Sequence, residues 1–210
     1  MLEMMRKNGL TLALFALGCT AFVAFTHSLT RDTIIEQEQA QLLRVLDELL
    51  PADSHDEPLF DHCVMLSSEQ FLGTSDPLPV FTAMKDGQPQ SYAIEAVAPD
   101  GYSGEIKLVV GVKVDGTLNG VRVLNHNETP GLGDKIELKK SPWVLDFNGQ
   151  SMLGEEDTRW AVRSDGGQFD AFTGATITPR AVVKAVHKVL LLVNQQPRLL
   201  TQAPSCGESL

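Results

Sequence analysis

The spacing of apolar residues changes character three times along the chain. From Gly9 to Phe25, and on to Leu29 if Thr26 to Leu29 are included, no Asp, Glu, Lys or Arg interrupts the run. A helix of that length and composition can cross a ~30 Å hydrocarbon layer. From Arg31 to Leu50, Ile35, Leu42, Leu46 and Leu49 recur on one helical face, and Pro51 ends the pattern. Beyond Leu78 the period drops to two. The stretches 78–99 and 104–128 alternate, with Ile106, Leu108, Val110, Val112 and Val114 on one face, and each bends at an Asp-Gly, Asp86-Gly87 and Asp115-Gly116. Alternation around Asp-Gly predicts two β-hairpins.

A helical period returns near the C-terminus. Between Pro179 and Val193 the residues Val182, Val186, Val189 and Val193 share a stripe, with Lys184 and Lys188 off it, so one side is suited to lie on a sheet. A further strand is expected over Trp160–Arg163. Residues 52–78, rich in Asp, Ser, Pro and His, read as an irregular linking segment. The expected fold class is α+β: an N-terminal transmembrane helix, then a domain of antiparallel strands flanked by helices. The corresponding divisions are 1–30 for the anchor, 31–77 for a helix and the linking segment, 78–195 for the main domain and 196–210 for a C-terminal tail.

Charge adds an orientation. Arg6 and Lys7 precede the apolar run, and the positive-inside tendency keeps that flank cytoplasmic and sends the main domain to the outer, periplasm-like side of the inner membrane. A cleaved signal peptide would need a small-residue cleavage site that "AFVAF" supplies poorly, and the lipoprotein-like Ala16-Leu17-Gly18-Cys19 is followed by more apolar chain. A retained single-pass anchor is therefore expected. The 210 residues carry 17 Lys+Arg against 27 Asp+Glu, a net charge of −10, which repels a polyanion and argues against nucleic acid as a partner. Of the three cysteines, Cys19 lies in the apolar run; Cys63 and Cys206 can pair in an oxidising compartment, but their spacing alone does not decide it. No metal-ligand spacing, Gly-rich nucleotide loop or hydrolase elbow is present, and His62-Cys63 reads as an ordinary surface or half-buried pair.

The most distinctive chemistry is in "DAFTGATITPR", residues 170–180, where Thr173, Thr176 and Thr178 surround Gly174-Ala175 just ahead of the last helix. Thr178-Pro179 reads as an N-cap followed by proline at the first helical position. Helix N-termini favour anions, Arg180 adds a cation, and Gly174 lets a bulky group approach the backbone. The same residues also cap and turn chains that bind nothing.

The spacing Asp170-x-x-Thr173-Gly174-Ala175-Thr176 resembles the flavin-attachment motif of the FMN-binding domain found in the G subunit of Rnf-type (Rsx) electron transport complexes and in the C subunit of the sodium-translocating NADH:quinone reductase. Two more segments match in the same order: "NETPGLGDK", Asn127–Lys135, and "GYSGEI", Gly101–Ile106. The resemblance covers Leu78 to Asn194 and the anchor, and length and the single span suit the Rnf G subunit best.

That resemblance implies FMN joined through a phosphoester to Thr176 by a separate flavin transferase that uses FAD. Thr173 stands where Ser is frequent, and Pro179 where a small polar residue is common; both departures leave the hydroxyls in place. It further implies that Thr173, Gly174, Ala175, Thr178, Asp170, Glu128, Thr129 and Leu132 belong to the cofactor site, with Asp170 either recognised by the transferase or capping a turn. No residue of this set is expected to be a catalyst. His126 is either a proton donor to the flavin or a solvated strand-end residue. The implied function is electron relay within an ion-translocating membrane complex, with its other subunits as partners. The alternative is a scaffold or assembly subunit that keeps the fold without the cofactor. A periplasmic hydrolase with Thr176 as nucleophile lacks any neighbouring base.

Overall fold

The computed structural model describes residues Leu2–Gly207; Met1 and the last three residues lie outside it. The chain divides into two units, Met1–Leu43 and Arg44–Leu210.

The first unit is the greater part of helix α1, Leu2–Leu49. Leu10, Leu12, Leu14, Phe15, Leu17, Phe22, Val23 and Phe25 are all largely exposed, so the helix is apolar around its whole circumference. In water that surface would be unstable; in hydrocarbon it is the stable one. The threonines inside the run fit the same environment. Thr11, Thr20 and Thr26 donate to the carbonyls of Lys7, Ala16 and Phe22 at 2.9, 2.8 and 2.7 Å, leaving no hydroxyl proton unpaired. Among the described residues this is the one helix long and apolar enough to cross a membrane.

The second unit is built on a five-stranded antiparallel sheet in sequence order: β1 Cys63–Ser68, β2 Thr74–Lys85, β3 Gln88–Ala98, β4 Ile106–Lys113 and β5 Leu118–Asn125. Short helix α2, Glu69–Leu72, joins β1 to β2. Both expected hairpins form. Asp86 and Gly87 hold φ of 53° and 69°, so the β2–β3 turn is of the primed type that matches strand twist. The β4–β5 turn is longer: Thr117 N–H donates to Asp115 Oδ1 at 2.8 Å, and Val114, expected on the buried face, lies past the strand end and is exposed.

One face of the sheet, with Ile94, Ile106, Leu108, Val110 and Val112, is covered by α3, Ile177–Gln195, whose Val182, Val186, Val189 and Val193 are buried as the stripe predicts. The opposite face takes the part of α1 that belongs to this unit: Val45, Leu46 and Leu49, with Leu50 just past the helix, are buried, and the Ile35 side chain lies outside the described residues. Gly111 and Gly120, paired across β4 and β5, open the space. A Cβ on Gly111 would stand 2.9 Å from that of Leu49. Asn119 Nδ2 donates to the Leu49 carbonyl at 2.9 Å, satisfying a helix-end acceptor where Pro51 stops the helix.

Two expectations fail for one physical reason: a strand needs an edge to pair with. Residues 52–78 are not simply irregular, since β1 sits there, paired to β2 from Cys63↔Phe81 to Ser68↔Thr74. Its short apolar run is hidden by polar flanks in the sequence. Trp160–Arg163 has the alternation of a strand but no ladder; Val162 makes one isolated bridge to Phe169, and Arg163–Asp165 turns as a 3-10 helix. The described residues of the C-terminal tail, up to Gly207, pack along the sheet. After α4, Leu199–Gln202, Met65 N–H donates to the Pro204 carbonyl at 2.7 Å and Cys206 N–H to the Cys63 carbonyl at 3.0 Å, covering the free edge of β1. Cys63 and Cys206 form a disulfide there, both buried.

Candidate functional site

A cleft of about 290 Å³ opens where three segments meet: the loop before β4, the loop after β5 and the entrance to α3. Its size is at the lower end of small-molecule clefts, roughly 300–1,000 Å³. Tyr102 comes from the first segment; Glu128, Thr129, Leu132 and Gly133 from the second; Gly174 through Thr178 from the third.

The α3 entrance is held from below. Trp143 Nε1 donates to the Asp170 carbonyl at 2.8 Å, and Phe172 packs edge-on to the Trp143 ring at 5.2 Å. Ala175 N–H then donates back to the Phe172 carbonyl at 3.0 Å, closing a tight turn in which Gly174 has φ of 81°. A side chain at that position would be strained, which accounts for the glycine.

The helix begins earlier than expected. Thr176, not Thr178, is the N-cap residue, and its side chain makes no capping hydrogen bond. Thr178 and Pro179 occupy the first turn, where the missing proline N–H is still among the donors without intrahelical partners. The hydroxyl of Thr178 is turned inward, fully buried, and donates to Glu128 Oε2 at 2.5 Å. Arg180 stays out of the cleft and pairs with Asp165 at 2.5 and 2.9 Å.

Glu128 organises the floor. It is buried, its Oε1 accepts from Ser103 N–H at 3.1 Å, and its own N–H donates to His126 Nδ1 at 3.0 Å. His126 Nε2 in turn meets Glu137 Oε1 at 2.8 Å, so this histidine braces the loop; it neither faces the cleft nor stands free in solvent. Gly133 is required by the same pair, since a Cβ there would lie 2.8 Å from Glu128 Oε2 and 2.9 Å from Thr178 Oγ1. The carbonyl of Thr129 accepts from the N–H groups of Leu132 and Gly133 at 3.1 and 3.0 Å, and this turn brings Leu132 beside Gly174.

Of the residues marked in the sequence, Gly174, Ala175, Thr176, Thr178, Glu128, Thr129 and Leu132 line the cleft together. Asp170 and Thr173 do not. Both are exposed, and the Asp170 carboxylate pairs with Arg163 Nε at 3.0 Å. Tyr102, Gly133 and Ile177 also line the cleft; the sequence signal for them is the segment "GYSGEI" for Tyr102, and the neighbouring motifs for the other two. Among the described residues no group of three or more His, Cys, Asp or Glu gathers to hold a metal ion.

The cleft suits a phosphate ester with an extended apolar body. Half-buried Thr176, whose side chain makes no capping bond, lines it, glycine leaves the approach clear, and Tyr102, Leu132 and Ile177 offer apolar surface. Residues 101–191, which contain every lining residue, match the FMN-binding domain, so the fold and site define a chain with one candidate membrane helix and an FMN-binding domain. Residues 1–49 match the RnfG N-terminal region. The G subunit of the ion-translocating oxidoreductase complex of Vibrio atlanticus (strain LGP32) is 54% identical over 208 residues, 99% of each chain. The proteins of the same description from Vibrio cholerae serotype O1 (strain ATCC 39541 / Classical Ogawa 395 / O395) and Shewanella loihica (strain ATCC BAA-1088 / PV-4) are 54% and 51% identical, covering 98% of both chains and 95% and 94% respectively. The chain belongs to the family of these G subunits.

Proposed function

We propose that the chain is a membrane-anchored flavoprotein subunit that carries FMN on Thr176 and relays electrons within an Rnf-type ion-translocating complex. One observation carries the assignment of the attachment residue. Of the three threonines in the motif, Thr173 lies outside the cleft and Thr178 is buried and committed to Glu128, whereas the half-buried Thr176 lines the cleft with its hydroxyl not used for capping.

The linkage is a phosphoester made by a flavin transferase from FAD: the phosphorus–oxygen bond to AMP breaks, the bond to Thr176 Oγ1 forms, and the hydroxyl proton is released. Once attached, FMN supplies reversible electron uptake by its isoalloxazine ring, and the surrounding protein sets its potential. The chain's own residues hold the site: Trp143 anchors the turn ahead of Thr176, and Glu128 ties the loops to α3. Asp170 and Thr173, exposed on the outer side of that turn, are the groups within reach of the transferase. Electrons are exchanged with redox centres of neighbouring membrane subunits.

The location follows from two features. Arg6 and Lys7 retain the N-terminus in the cytoplasm, and the buried Cys63–Cys206 disulfide suits an oxidising periplasm. Coexpression with the transferase, followed by intact mass measurement and ultraviolet fluorescence of the denatured band, tests the reading. Wild type and Thr176→Ser should gain one FMN and glow; Thr176→Ala should do neither. A dark, unmodified wild type would favour the cofactor-free scaffold. Because the Thr176 hydroxyl makes no capping bond, unmodified wild type and Thr176→Ala should differ in stability by less than about 0.5 kcal/mol.

A further inference from the structure

The cleft has two kinds of wall. Its floor is polar, yet both carboxylate oxygens of Glu128 are already used, by Ser103 N–H and by the Thr178 hydroxyl. Its rim is apolar and wet: Tyr102 is 68% exposed, Ile177 43% and Leu132 41%. Exposed apolar side chains that converge on one cleft mark a surface awaiting a ligand.

Tyr102 is the largest of the three and the best held. Gly101, directly before it, has no room for a side chain, since a Cβ would fall 2.2 Å from the Gly104 carbonyl oxygen and 2.9 Å from Glu128 Oε1. Ser103, directly after it, is bonded to Glu128. Gly104 has φ of 119°, which lets the chain turn back into β4. The loop thus fixes the backbone on both sides of an aromatic ring left in solvent. Placing a mainly apolar ring in water while pinning its backbone has no folding benefit. An aromatic ligand would supply one, because two flat ring systems gain from offset or edge-on contact beyond the area they bury.

From this, and resting on the assignment of FMN to Thr176, we propose that Tyr102 forms the aromatic wall against which the flavin ring lies, with Leu132 and Ile177 bordering it. The ring would then be covered on the Tyr102 side and open on the other, leaving a face from which electrons can pass to a partner subunit.

Phenols quench excited flavins by transferring an electron to the ring, which returns it, so nothing is consumed and the lifetime of the flavin fluorescence reports ring contact. The test uses the full chain in detergent, coexpressed with the transferase, as wild type, Tyr102→Phe and Tyr102→Ala, with FMN content measured by intact mass and lifetimes compared before and after denaturation. The wild-type lifetime should be several-fold shorter folded than unfolded. Both variants should lengthen the folded lifetime several-fold, because phenylalanine keeps the ring but is not an electron donor. Trp143 is present in every arm and cannot account for a difference among them. Equal lifetimes in wild type and Tyr102→Ala, each carrying one FMN, would overturn the role of Tyr102 while leaving the attachment intact. A wild type without FMN would remove both.

Discussion

Thr178 Oγ1 donates to Glu128 Oε2 at 2.5 Å, joining residues 50 positions apart in two segments that both line the cleft. Thr178 is fully buried and Glu128 nearly so, and among the described residues no lysine or arginine pairs with this carboxylate. The positive end of the α3 dipole is the compensation on hand, since Thr178 sits in the first turn.

Thr178→Val keeps the shape and removes the donor, so it should cost about 1–3 kcal/mol, the penalty for a buried charged acceptor left short of a partner. Glu128→Gln should cost less, because the threonine hydroxyl can rotate to accept from the amide while the amide oxygen still accepts from Ser103 N–H. Denaturant unfolding of the two variants checks this. A Thr178→Val protein within about 0.5 kcal/mol of wild type would mean that the contact adds nothing.

Breaking the Cys63–Cys206 disulfide should destabilise the second unit by about 2–5 kcal/mol. The loss should be local in onset. Hydrogen exchange after reduction, or in Cys63→Ser, should accelerate first at 199–206 and along β1, where Pro204 and Cys206 cover the sheet edge. Uniform acceleration across β3 and β4 would contradict an edge-covering role.

Glu95 lies on β3 opposite Val109, and burial pushes its carboxyl up to about 7, with Lys107 opposing only in part. A raised carboxyl means that the folded state disfavours the charge. Stability from this group is therefore full below about pH 4.5 and lost as pH rises towards 7. Glu95→Gln should stabilise the protein at pH 8 by on the order of 1–3 kcal/mol, discounted for partial exposure, and have little effect at pH 4.5. Equal effects at the two pH values would show that the residue acts through shape alone.

His187 works in the opposite direction. Its ring stacks on Trp160 with centroids 5.9 Å apart, its buried Nε2 has no partner among the described residues, and burial holds its pKa below 6.5 despite the charge of Asp157. The folded state resists protonation, so this contribution is lost as pH falls below 6.5. His187→Phe keeps the stack and should flatten the stability profile on that acid side. An unchanged acid profile in His187→Phe would assign the acid loss to other groups.

Much of the architecture is legible in the sequence. The two Asp-Gly hairpins, the apolar N-terminal helix and the valine stripe of α3 are local patterns, each set by residues close in sequence. The elements that local pattern does not specify depend on distant partners. β1 exists because β2 and the Pro204–Cys206 segment flank it, and Trp160–Arg163 stays out of the sheet because no edge receives it. The start of α3 shifted for a similar reason: Thr178 looked like a cap, but Glu128 draws its hydroxyl inward, and the helix extends back to Thr176.

Sequence alone determined the two hairpins, the two long helices, the family and the three hydroxyls of the motif, because periodicity, turn chemistry and short motifs are written in neighbouring residues. Only the tertiary structure decided how those hydroxyls are used. Thr176 faces the cleft, Thr178 is committed to Glu128 and Tyr102 completes the rim, and each of these outcomes depends on which segments the sheet brings together.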